Sequence, residues 1–201
     1  MAILTNLSVP TESGNRITLM PKLQNRFRVT FVFEFGEIIT GNVMSVTKPQ
    51  ITFDEVTLEA YNSRIYIPGK HSWNPVSIMF RDDISSTAIF ALDKQVNQQI
   101  DMASQSAARA ASAFKFRTKI ETLDGTNGEP IAGNSSPVLD VWELSGCHVQ
   151  SVEYGNNDYS SSEPVQVTLS LRYDNAAHTI NGVDMLSGQF RQSSQINSTG
   201  S

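Results

Sequence analysis

The stretch Tyr61–Asp83, YNSRIYIPGKHSWNPVSIMFRDD, decides how this chain is read. Ser63–Ile67 alternates as a strand does, Pro68-Gly69 has the chemistry of a tight turn, and Pro75–Phe80 is a second strand closed by the acidic pair Asp82-Asp83. Apolar side chains alternate with polar ones throughout, and nothing in the stretch has the form of a catalytic centre.

Upstream, Arg26–Glu34 is a strand with Phe27, Val29, Phe31 and Phe33 on one face, ended by a turn at Gly36. Glu37–Thr47 is expected as a second strand and Ile51–Leu58 as a third. Residues 1–24 are broken by Pro10, Gly14 and Pro21 and read as an arm. Downstream, a helix is expected from Ser86 to Ala113, capped by Ser86 or Thr87. Its apolar stripe is Ile89, Leu92, Val96, Ile100, Ala103 and Ala107. Phe114–Leu123 alternates as a strand, and Asp124–Pro137 is a loop by composition. Val138–Leu144 and His148–Tyr154 flank Ser145-Gly146 as a hairpin-like pair. Val165–Tyr173 is the cleanest strand, with Val165, Val167, Leu169, Leu171 and Tyr173 facing one way. Beyond Asp174 the pattern dissolves. The expected organisation is an arm (1–24), a β-sandwich domain (25–174) with its helix at 86–113, and a polar C-terminal tail (175–201).

Composition narrows the function. The 201 residues suit one domain. Lys and Arg number 15 against 20 Asp and Glu, for a net charge of −5, which argues against a chain that grips nucleic acid through a basic stripe. Charged residues make up only 17%, and Ser, Asn, Gln and Thr take their place. The sole cysteine, Cys147, leaves no internal disulfide. No secretory signal and no bilayer-length apolar run are found, so synthesis in the cytoplasm without membrane insertion is expected.

Chemical motifs are missing. His71, His148 and His178 are far apart in sequence and form no metal-binding pattern. Cys147 and His148 are adjacent, and strand neighbours point to opposite faces. Asp82 and Asp83 precede a helix, where their charge favours the helix dipole. Pro68-Gly69-Lys70 lacks the first glycine of a phosphate loop. Trp73, beside Pro75 at a strand start, suits a subunit contact, and Trp142 a core or interface position. No catalytic residue, metal site or cofactor is expected, and the chain is not read as an enzyme.

The run W-x-P-V-x-I-x-F-R-D-D at Trp73–Asp83, the W-E-L-S-G-C-x-V segment at Trp142–Val149 and the V-x-V-x-L-x-L-x-Y strand at Val165–Tyr173 together resemble the tail-tube family of contractile-tailed bacteriophages, which is similar in fold to the ring protein of type VI secretion. The resemblance covers roughly Asn25–Asp174. It implies a mainly β (α+β) fold: an antiparallel β-sandwich or partial barrel flanked by one α-helix, oligomerising into a ring with a continuous inner β-barrel. It also implies stacked hexameric rings forming a virion tube through which DNA is delivered. Implied partners are further copies of the chain, the sheath, the tape measure, and baseplate and tail terminator proteins, with DNA passing without specific binding. Gln166, Thr168 and Ser170, small and neutral, would line the lumen. The N-terminal arm and Asn42–Gly69, including Ile65, Tyr66, Ile67 and Pro68, would reach the next ring. Ring closure would also dispose of sheet edges that otherwise aggregate. The alternatives are a type VI or phage-like bacteriocin tube protein and a monomeric ligand-binding β-sandwich.

Overall fold

The computed structural model describes residues 22–33, 36–40, 42–108, 110–124, 138–160, 162–180 and 183–185. The first strands are β1 (Phe27–Phe33), β2 (Gly36–Thr40), β3 (Val43–Val46), β4 (Ile51–Ala60), β5 (Ser63–Trp73) and β6 (Val76–Arg81). Helix α1 (Thr87–Gln99) follows. The remaining strands are β7 (Ile100–Asp101), β8 (Ser106–Ala107), β9 (Phe116–Leu123), β10 (Val138–Glu153), β11 (Gln166–Arg172), β12 (Asn175–Ile180) and β13 (Val183–Asp184). The fold is mostly antiparallel β-sheet with one α-helix among the described residues.

Nine strands hydrogen-bond in the order β2-β1-β9-β10-β11-β6-β3, with β12 beside β10 and β13 beside β12. The long strand β10 makes this path fold on itself. Its first half pairs with β9 and β12 in one sheet, and its second half, His148–Glu153, pairs with β11 in the other. Sheet I is therefore β2-β1-β9-β10-β12-β13, and sheet II is the C-terminal half of β10 with β11, β6 and β3. Between them lies a core of alternating inward residues: Val29 and Phe31 from β1, Ile120 from β9, Ile78 and Phe80 from β6, and Val167, Leu169 and Leu171 from β11. Helix α1 adds Ala91 and Leu92 to this core.

Four expectations change. Val138–Glu153 is one strand and not a hairpin about Ser145-Gly146. Gly146, at φ +68, puts a break of register in β10 where the strand passes between sheets. The positive φ favours glycine, and a Cβ there would stand 2.2 Å from a carboxylate oxygen of Asp174, which is held by Lys115. Gly146→Ala is expected to destabilise the fold by about 2 kcal/mol, seen as a lower thermal midpoint. A neutral result would mean the break of register does not depend on this backbone conformation.

Pro68-Gly69 is likewise not a turn. β5 runs unbroken through it, and the chain reverses at Tyr61-Asn62. A bulge opposite sets Glu55 against Pro68 and Phe53 against His71. Gly69 lies against Asp54, whose carbonyl oxygen would be 3.1 Å from an added Cβ. Next, Glu37–Thr47 is two strands in different sheets, since β2 pairs with β1 and β3 with β6. Finally, α1 stops at Gln99, where the chain turns into the small β7–β8 hairpin. Ile100, Ala103 and Ala107 therefore lie off the helix, and its inward face includes Leu92, Val96 and the buried Gln95, whose side-chain amide donates to the Phe114 carbonyl.

The sandwich also extends past Asp174, because β12 pairs with β10 from Asn175 to Ile180. Residues 186–201 of the expected tail, residues 1–21 of the arm and residues 125–137 of the expected loop lie outside the described residues.

Candidate assembly surfaces

Sheet II turns one face to the core and one away from it. Gln166, Thr168 and Ser170 alternate with buried Val167, Leu169 and Leu171, so they share the outward face. Pairing sets them beside Arg81, Met79 and Ser77 of β6, and sets Thr168 and Ser170 beside Glu153 and Ser151 of β10. The middle of this face is polar, with one methionine and the Glu153 carboxylate beside Thr168, and Arg81 and Arg172 close opposite ends. Strand β3 forms one edge of the sheet. At the other edge, Gln99 of α1 donates to the Val149 carbonyl at 3.2 Å.

The second surface is the β4–β5 hairpin. Every residue of β4 is exposed. In register, Val56 faces Ile67 and Leu58 faces Ile65, so these four make one apolar ladder. Tyr66 pairs with Thr57 and projects on the reverse side. Ile65 and Tyr66 are 59% and 60% exposed, and Phe53 is 60% exposed. Pro68 is exposed as well. The structure thus brings Ile65, Tyr66, Ile67 and Pro68 together on one projecting arm. It places Trp73 apart from them, buried at the arm's foot against Tyr173, with ring centroids 5.8 Å apart.

Asp140, on an inward position of β10, is buried and bonded to the His178 imidazole. Lys48, between β3 and β4, reaches it at 3.3 Å, and Lys22 reaches it at 3.6 Å. His178 stacks on Trp142, with centroids 4.0 Å apart. Burial alone would raise the Asp140 carboxyl. The His178 hydrogen bond and the Lys48 and His178 charges outweigh it and hold the group below the usual carboxylate range. A depressed folded-state value means stability that is present above the unfolded value of about 3.9 and lost as pH falls through the folded one. Asp140→Asn is expected to cost about 2 kcal/mol at neutral pH and to flatten the acid limb of a stability–pH curve. An unchanged acid limb would remove Asp140 from the account. The sequence reading missed this cluster, and the available signal was a charged residue at an inward position of an alternating run.

Other polar groups have structural explanations. The Asp83 carboxylate accepts from the Ser85 hydroxyl at 2.9 Å, and the Thr87 and Ser86 amides help hold its pKa down. It thus serves the start of α1, whereas Ser86 makes no side-chain cap. Cys147 is fully buried, and desolvation pushes its thiol up to about 11, far from a reactive thiolate. His148, its neighbour, is on the other face.

This architecture is the tube fold of contractile injection systems and phage tails. Three solved structures show the likeness. The anti-feeding prophage baseplate, 6-fold symmetrised, aligns with a TM-score of 0.62 at 14% identity, over 81% of this chain and 97% of that one. A chain of the PVC sheath–tube complex of an extracellular contractile injection system, in its extended state, aligns at 0.61 and 15%, over 81% and 93%. The SPP1 tail tube aligns at 0.55 and 10%, over 80% of each chain. No family model matches the chain, and no curated protein matches it significantly.

Proposed function

We propose that this chain is the structural subunit of a tail-like tube, its copies closing into hexameric rings that stack. The observation that carries the reading is the β4–β5 hairpin. A two-stranded arm with an open apolar ladder is marginal on its own in water and needs cover from outside its subunit. Sheet II supplies the rest of the device. Its β3 edge and its β10 edge lie on opposite sides of four strands, so edge-to-edge repetition closes a barrel whose inner wall is the outward face of Gln166, Thr168 and Ser170. Trp73 fixes the arm at the barrel's rim, and Ile65, Tyr66, Ile67 and Pro68 make the contact with the next ring. The N-terminal arm joins that contact.

The finer reading is a virion tube of a contractile-tailed phage that passes DNA, assembled in the host cytoplasm with sheath, tape measure, baseplate and terminator proteins. The tube of an extracellular injection system is the second reading, favoured by the anti-feeding prophage and PVC likenesses. Sedimentation velocity over a wide concentration range tests the shared claim. Ring-sized or larger species are expected to grow with concentration, and a single monomer boundary throughout would refute it.

A further inference from the structure

We infer that the surface receiving the hairpin is the opposite end of sheet II, where Ile84, Phe90 and Tyr159 of the next ring's subunit stand exposed. This rests on the tube reading and names the partner face of its stacking contact.

The argument starts from strand direction. β6 begins at the hairpin's foot and ends at Arg81, which pairs with Gln166 at the start of β11. At the foot end, Ile51 pairs with Trp73, and the Asn74 amide donates to the Gln50 carbonyl at 2.9 Å. At the far end, the β6–α1 connection and the β10–β11 connection emerge together. The Asp82 amide donates to the Val165 carbonyl at 3.0 Å, and the Tyr154 hydroxyl donates to Asp93 of α1 at 2.6 Å. Sheet II separates the two ends by about 20 Å at the usual strand rise.

The far end is apolar where a soluble monomer has no need for it. Ile84 and Tyr159 are fully exposed, and Phe90 on the first turn of α1 is 73% exposed. One chain thus carries a projecting apolar arm at one end and exposed apolar side chains, the proposed landing, at the other. Because the arm stays exposed along its length, it does not fold back onto its own landing. Such a pair of unlike surfaces is heterologous, and repeated head to tail it generates an open filament.

The test mixes two full-length variants that each keep one half of the contact. Ile84→Asp with Phe90→Asp keeps the hairpin, and both sites are exposed, so the subunit should fold. A second variant has Val56, Leu58, Ile65 and Ile67 changed to Thr and keeps the landing. Each alone is expected to give rings but to shorten tubes at least tenfold in negative-stain images. Mixed, they should form two-ring particles, because one intact hairpin meets one intact landing. Wild-type-length tubes from Ile84→Asp with Phe90→Asp, or a mixture that makes only single rings, would overturn the landing while leaving the tube reading in place. Wild-type protein that makes no tubes would overturn both.

Discussion

Excising Phe53–His71 and joining Thr52 to Ser72 through Asn-Gly is expected to leave a folded subunit that makes no tubes. Thr52 and Ser72 are cross-strand partners, with hydroxyls 2.8 Å apart, so a two-residue turn closes the shortened hairpin without strain. The excised residues are exposed except for half-buried Gly69, and none belongs to the core. Trp73 stays, and with it the packing on Tyr173. The thermal midpoint should therefore fall by only a few degrees, since surface changes away from the core cost about 0.5 kcal/mol or less. Stacking loses a whole interface. Single rings or subunits with native circular dichroism are the expected species, and tubes of normal length would show that the arm is dispensable.

The second large effect concerns the face proposed as the wall of the channel. Thr168→Lys with Ser170→Lys would add two positive charges beside Glu153 and between Arg81 and Arg172 on the sheet II face, giving a net basic band repeated in every subunit. Both positions point away from the core, so the fold should tolerate the change. Each phosphate then neutralised releases counterions, with a slope of about 0.9 per contact in log affinity against log salt. If the face lines the lumen of a DNA-carrying tube, assembled tubes should hold DNA in a salt-dependent way and ejection should stall while tubes still form. Normal ejection from well-formed tubes would place the face outside, and the added charge would then disturb an external contact or nothing.

Much of the sandwich was readable from alternation because each core strand buries one face only. β1, β9 and β11 come within two residues of the stretches read as Arg26–Glu34, Phe114–Leu123 and Val165–Tyr173, with the same residues turned inward. The errors share a physical cause: local turn chemistry was trusted where tertiary pairing decided. Pro68-Gly69 looks like a turn, yet proline on an exposed edge loses no ladder bond that matters, and glycine allows the close approach to Asp54. Ser145-Gly146 looks like a hairpin turn, yet a single positive-φ glycine serves equally to pass one strand from sheet to sheet. The expected helix runs past Gln99 because the Ala-rich sequence there has high helical propensity, which the pairing of β7 with β8 overrides. β12 was missed because Asn-Ala-Ala-His-Thr-Ile carries little apolar contrast, although Ala176 is buried.

The residues of the candidate surfaces can be placed on strands from the sequence, and their neighbours cannot. Gln166, Thr168 and Ser170 follow from period-two alternation alone, as does Arg172 at the same parity, whereas Arg81 joins their face only through the pairing of β6 with β11. Ile65, Tyr66 and Ile67 are expected at a ring contact only through the family resemblance, since alternation alone makes Ser63–Ile67 a strand and says nothing of what it touches. That they project on an arm, with Trp73 buried beneath, depends on pairing to β4 and on the absence of β4–β5 from the core. Asp140, His178, Lys48 and Lys22 are scattered over 157 positions of sequence, and only the fold brings them together.

Negative-stain microscopy of the purified full-length protein tests the central claim most directly. The account predicts rings of uniform diameter with an open centre, and tubes of the same width as concentration rises. Isolated compact particles at every concentration, with no rings or tubes, would contradict it.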